Sequence, residues 1–285
     1  MTMTAGEVII IKGAGEQATG VAHKLFRSGF TVIMTEIEQP ICVRRNISFA
    51  NCIYEGIWEV EGIQAKRSTT LEEAFAILNQ GMIPVLIDKE CKIIKMVNCL
   101  ALVDAIIAKK NTGTSKEDAP IVIGLGPGFN AGVDVDVAIE TNRGHHLGRL
   151  IFNGYTSNDT GAPSAVKGYT WERVLRATKT GTIKVVRNLG ETIQSGETVA
   201  FIHEEEVKAK IDGVIRGLIH DGAQVMEGMK IGDIDPRVED SFRTTISEKA
   251  RCIAGAVLEA ILIKKINARG NFSISHPSNK TKELI

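Results

Sequence analysis

Val8-Ile9-Ile10-Ile11-Lys12 runs straight into Gly13-Ala14-Gly15-Glu16-Gln17-Ala18-Thr19-Gly20, and this stretch decides how the first half of the chain is read. The apolar run predicts a buried strand. From Gln17 the spacing predicts a helix that continues to Arg27 and stops at Ser28-Gly29. Glycines between a strand and a helix let backbone N–H groups approach an anion with no Cβ in the way. The helix N-terminus adds partial positive charge at the same point. Gly13, Gly15, Ala18 and Gly20 are therefore candidate ligand-binding residues. Residues 30–35 predict a second strand. Glu36 stands at its end, where a dinucleotide fold places its ribose-binding carboxylate. Arg44 and Arg45 follow and suit a phosphate. The pattern predicts a nucleotide or dinucleotide cofactor, NAD(P) among the options. Glu16 argues against it, because it sets a negative charge close to where phosphate would lie. A ligand-free βα turn and a solvated arginine pair fit the same residues.

The alternation continues downstream. Thr70-Leu71-Glu72-Glu73 reads as a capping box before a helix that Gly81 ends, and residues 83–87, 100–103 and 121–123 read as buried strands. Strands separated by helical periods predict a Rossmann-like α/β domain with a mostly parallel sheet over residues 1–170. A second glycine-rich loop, residues 124–132, follows the strand at 121–123 and makes Gly124, Gly126 and Gly128 further ligand-binding candidates. It leads through Asp134 and Asp136 to Glu140-Thr141-Asn142-Arg143-Gly144-His145-His146. Arg143 suits an oxyanion, and His145 or His146 suits acid–base work near neutral pH. These three are the catalytic candidates. Their spacing with Glu140 or Asp134 fits no standard metal motif, and no metal is expected.

A different pattern begins after Trp171. Residues 181–202 and 213–234 align at a constant offset, with glycines in register and apolar pairs Ile183/Ile215, Ile193/Val225, Val199/Ile231 and Ile202/Ile234. Short strands joined at glycine turns and repeated twice predict a pseudo-symmetric β unit over 171–240. It resembles the barrel-sandwich hybrid of biotinyl and lipoyl carriers, but the hairpin His203-Glu204-Glu205-Glu206-Val207 lacks the modifiable lysine, and Lys208 and Lys210 fall too close to Asp212. Ser247 caps a helix whose Ala250, Ile253, Val257 and Ile261 share one face, so a C-terminal helix over 241–266 is expected to pack on the core. Residues 267–285 turn polar and predict a disordered tail.

The chain has 285 residues, with 34 Lys and Arg against 34 Asp and Glu. That balance supplies no global field toward nucleic acid or an acidic membrane surface. With no apolar run long enough to span a bilayer, a cytoplasmic protein is expected. Five cysteines without a CxxC pair read as free thiols.

Several stretches resemble the YqeB family, accessory proteins of the selenium-dependent molybdenum hydroxylase system. They are GAGEQATGVAHKL (13–25), TEIEQP (35–40), Arg44-Arg45, YEG (54–56), GLGPGFNAG (124–132), ETNRGHHLG (140–148), DGVIRGLIHDG (212–222), KIGDIDPR (230–237) and ISEKARCIAGAVLEA (246–260). The resemblance implies a role in maturing a selenium-dependent molybdenum hydroxylase, with that enzyme or its maturation proteins as partners. It implies no particular reaction. A phosphorylated small ligand such as a molybdopterin nucleotide fits both glycine loops. An NAD(P)-dependent oxidoreductase and a non-enzymatic docking protein are the alternatives, and a homo-oligomer is compatible with all three.

Overall fold

The computed structural model describes residues 8–268, and the predicted tail beyond Ala268 lies outside them. In chain order the first unit is β1 (Val8–Lys12), α1 (Glu16–Arg27), β2 (Thr31–Glu36), α2 (Cys52–Glu55), β3 (Ile57–Val60), β4 (Ile63–Ser68), α3 (Leu71–Asn79), β5 (Ile83–Ile87), β6 (Ala101–Asp104), β7 (Val122–Leu125), β8 (Val137–Ile139) and β9 (Leu150–Ile151). The nine strands form one sheet in the order β3-β4-β5-β2-β1-β6-β7-β8-β9.

Period-two burial builds the layers. On β1, Ile9 and Ile11 join a core shared with α1, while Val8 and Ile10 join the core on the other face with Leu102 and Val122. The Thr70 hydroxyl caps α3 by accepting the Glu73 N–H at 3.2 Å. The reciprocal bond comes from the Thr69 N–H, one residue earlier than the capping box predicts.

The second unit holds β10 (Val174–Arg176), β11 (Gly181–Val185), β12 (Thr192–Ile193), β13 (Thr198–Ile202), β14 (Glu205–Lys208), β15 (Gly213–Leu218), β16 (Gln224–Val225) and β17 (Lys230–Asp235). They make two four-stranded antiparallel sheets, β10-β17-β15-β12 and β14-β13-β11-β16. The aligned apolar pairs of the two repeats all lie in one core. After α4 (Ser241–Thr244), α5 (Glu248–Ala268) returns to the first unit and lies along α1. A Cβ on Gly20 would stand 2.9 Å from that of Ala250, so the two helices need a glycine there.

This architecture corrects the expected Rossmann-like parallel sheet with a biotinyl/lipoyl-like barrel-sandwich hybrid. The large sheet is mixed, because β3 runs antiparallel to β4 and β9 antiparallel to β8. Helices stand between β1 and β2 and between β4 and β5, but the connections from β6 to β7 and from β7 to β8 contain none. Residues 126–136 turn back instead through the Gly132–Val135 backbone hydrogen bond, and Ala131 pairs with Gly154 beyond β9. The antiparallel sheets recruit β10 and β14 from outside the repeat. They also dock on the first unit, where the Leu218 N–H donates to the Val43 carbonyl at 2.8 Å.

Candidate functional site

A cleft of about 430 Å³ opens at the carboxyl ends of β1, β2, β5 and β6, with Gly13, Gly15, Gln17, Glu36, Cys42 and Asp88 among its walls. β1 pairs in parallel with β2 on one side and β6 on the other, and the chain passes from β1 through α1 to β2. Such divergence of connections around a central strand leaves a crevice at the carboxyl edge.

The chain itself shapes the loop beneath this cleft. Gly13 takes φ +98°, and its N–H donates to the Thr35 carbonyl at 2.8 Å. The Ala14 carbonyl accepts from the Thr19 hydroxyl at 3.1 Å and from the Ala50 N–H at 2.8 Å. Gly15 caps α1 with no side-chain acceptor, and a Cβ built there meets nothing within 4 Å. The first N–H groups of α1 thus border the cleft without a side-chain cap among the described residues. Ala18 is fully buried one turn on, and Gly20 is taken up by the contact with α5.

Glu36 is turned toward the loop. Its Oε2 accepts the Ala14 N–H at 2.8 Å and its Oε1 accepts the Ile37 N–H at 2.8 Å. Burial pushes its carboxyl above the usual carboxylate range, and the two backbone bonds pull the other way. Burial likewise pushes the Cys42 thiol up to about 11, which keeps it protonated and a poor nucleophile near neutral pH. The Gln17 Oε1 is buried with no hydrogen-bond partner among the described residues, an acceptor awaiting a donor.

Lys12, absent from the sequence candidates, sits at the base of the cleft and is buried. Its ammonium lies 3.3 Å from Asp104 and 3.2 Å from the hydroxyls of Thr112 and Thr114, and the Thr114 hydroxyl donates to Asp104 at 2.6 Å. The available signal was a lysine closing an apolar strand: its charge has to find a partner on the neighbouring strand end.

Arg44 and Arg45 turn away from the cleft toward the second unit. Arg44 donates to the Phe242 carbonyl at 2.8 Å and stands 3.8 Å from Glu16. Arg45 donates to the Leu218 carbonyl at 2.7 Å and to Nδ1 of His220 at 3.2 Å. Since a guanidinium only donates, His220 carries its proton on Nε2 and gives it to the Asn51 amide oxygen at 2.7 Å. Burial, then the Arg45 charge, lowers the imidazole to about 4.

The glycines of the second loop meet the chain's own atoms. A Cβ on Gly124 would stand 2.5 Å from the Phe129 ring, on Gly126 2.7 Å from the Thr141 hydroxyl, and on Gly128 2.4 Å from the Lys110 backbone. No helix follows this loop to add a dipole. Arg143 forms an ion pair with Glu248, while the exposed His145 and His146 contact each other edge to face at 5.0 Å. His146 borders a separate hollow with Arg149 and Tyr155. The buried Glu140 carboxylate accepts the N–H groups of Asn142 and Ser157, both at 2.7 Å. The three catalytic candidates therefore do not share one hollow. Among the described residues no group of three or more His, Cys, Asp or Glu is placed to hold a metal ion. No helix there is long and apolar enough to cross a membrane.

No protein-family model matches the chain. Solved structures with similarity include a succinylglutamate desuccinylase from Silicibacter sp. TM1040, at 14% identity and TM-score 0.24 over 81% of this chain and 85% of that one. A succinylglutamate desuccinylase/aspartoacylase from Rhodobacter sphaeroides matches at 12% identity and TM-score 0.23, over 79% and 86%. The ectoine utilization protein EutE from Ruegeria pomeroyi matches at 9% and TM-score 0.24, over 81% and 85%. At such TM-scores the likeness bears on neither activity nor substrate. The uncharacterized protein YqeB of Escherichia coli (strain K12) is 44% identical over 257 residues, which is 90% of this chain and 48% of the relative. The chain thus spans about half the length of the curated relative it matches. That similarity supports membership of this chain in the YqeB family.

Proposed function

We propose that the chain binds a phosphorylated small ligand of nucleotide class in the cleft at the Gly13–Gln17 loop. The observation that carries this reading is Gly15: it leaves the N-terminus of a twelve-residue helix uncapped and open toward a cleft of about 430 Å³. The unpartnered Gln17 acceptor supports a ligand that also carries a hydroxyl or amine donor. Arg44 and Arg45 are engaged at the seam, so recognition of a phosphate falls to backbone N–H groups. On the family resemblance, this binding serves the maturation of a selenium-dependent molybdenum hydroxylase. Calorimetric titration with NAD, NADP, ATP and CTP tests the ligand class. Binding of at least one in the micromolar range supports the reading, and no binding of any at millimolar concentration removes it. Hydroxylase activity in cells carrying Gly15→Glu tests the maturation role.

A further inference from the structure

Two helix N-termini meet beside the cleft. Glu16 begins α1 and Glu248 begins α5, and the Ser247 hydroxyl joins them by donating to Glu16 at 2.8 Å. Cations from both units gather at this point. Arg44 stands 3.8 Å from Glu16. Arg143 pairs with Glu248 and feels the like charges of Arg44, Arg173 and Arg237. Arg216 lies 3.9 Å from Asp233 and 3.6 Å from Asp235 and donates to the same Phe242 carbonyl as Arg44. Arg173 pairs with Asp233 at 3.1 Å and Arg237 with Asp235 at 2.7 Å. Lys249, in the first turn of α5, is half-buried, and burial followed by the Arg143 charge holds its ammonium below the usual lysine range.

Six cations, namely these five arginines and Lys249, thus gather around Glu16, Asp233, Asp235 and Glu248. Lys249 also feels Glu140, which keeps its charge while accepting backbone N–H groups, and Asp159, which pairs with Lys109. Like charges held together at partial burial raise the free energy of the fold unless something neutralises them. Moreover, the Arg44 Nε is buried with no partner among the described residues, in a side chain that is 9% exposed. The two helix dipoles add to the positive potential rather than relieve it. Arg143, at 40% exposure, keeps the cluster open to solvent.

We infer that this seam is an anion-binding site for a phosphoryl group, with Arg143 and Lys249 as its open arms and Arg44 as its buried floor. A phosphoryl group suits it better than a single carboxylate, because it presents more oxygens and more negative charge to donors arriving from several directions. The site bridges the two units, since Arg44, Arg143 and Lys249 belong to the first core and Arg173, Arg216 and Arg237 to the β unit or its exit. Occupancy therefore strengthens their docking. The inference stands without the nucleotide reading of the cleft.

The test is calorimetric titration of the full chain with inorganic pyrophosphate at low ionic strength, repeated on Arg143→Gln/Lys249→Gln and on Gly15→Glu. Both seam side chains are partly exposed, so the double variant is expected to fold, and its far-UV circular dichroism checks this. The inference predicts binding that weakens at least about tenfold in the double variant and persists in Gly15→Glu. It is overturned if wild type binds no pyrophosphate at millimolar concentration, if the double variant binds as wild type, or if Gly15→Glu alone abolishes binding. Nucleotides failing to bind while pyrophosphate still does would remove the cleft reading and leave the seam site intact.

Discussion

The Glu36 Oε2 accepts the backbone N–H of Ala14 at 2.8 Å, tying the end of β2 to the loop that follows β1. The acid placed by sequence as a ribose ligand thereby also supports the loop. Glu36→Ala strips the acceptor from the Ala14 and Ile37 N–H groups and is expected to cost about 1–3 kcal/mol of stability. It should weaken ligand binding too, because the loop is no longer held. Chemical denaturation and ligand titration on the same variant check both effects.

Gly20 and Gly15 separate packing from binding. Gly20→Val drives a branched side chain into Ala250 and is expected to destabilise the fold by about 1–3 kcal/mol. Gly15→Ala meets open space and keeps an allowed φ of −69°, so its melting temperature stays near wild type. Thermal unfolding of the two variants side by side distinguishes them.

Gly128 holds the second loop shut against the Lys110 backbone at φ +105°. Gly128→Ala adds a Cβ where no atom fits and is expected to lose about 2 kcal/mol or more. Affinity for a ligand in the first cleft should be unchanged in the folded fraction. A parallel loss of affinity would mean that the two loops act together.

His220 makes stability depend on pH. Its imidazole ionises near 4 when folded, against 6.5 for a free side chain, so between those values the unfolded chain binds more protons. Stability from this group is complete above about 6.5 and falls as pH drops toward about 4, by at most about 3 kcal/mol. His220→Gln should flatten the curve between pH 7 and pH 5, above the range where most carboxylates titrate. Denaturation midpoints across that range, compared with wild type, check the sign.

Legibility followed sequence distance. β1, α1 and β5 were readable because their burial patterns are local, and the β repeat because its glycines and apolar pairs recur at a fixed offset. The mixed sheet was not, because its antiparallel pairings come from β3 and β9, short edge strands largely outside the core that no apolar run announces. The glycines divided in the same way. Gly15 faces open space, whereas Gly20, Gly126 and Gly128 face Ala250, Thr141 and Lys110. Nothing near each glycine in the sequence records which of these it meets. Arg44 and Arg45 read as phosphate ligands because Phe242, Leu218 and His220, which they serve, lie far along the chain. Lys12 reads only as the end of an apolar strand, because its partner Asp104 sits on β6.

The central claim is that the uncapped start of α1 at Gly15 receives the phosphate of a nucleotide-class ligand. The most direct measurement is equilibrium titration of wild type, Gly15→Ala and Gly15→Glu with whichever of NAD, NADP, ATP or CTP binds most tightly. The account predicts that Gly15→Ala stays within about threefold of wild type, while Gly15→Glu loses at least about a hundredfold with little change in melting temperature. Wild-type affinity in Gly15→Glu would contradict it.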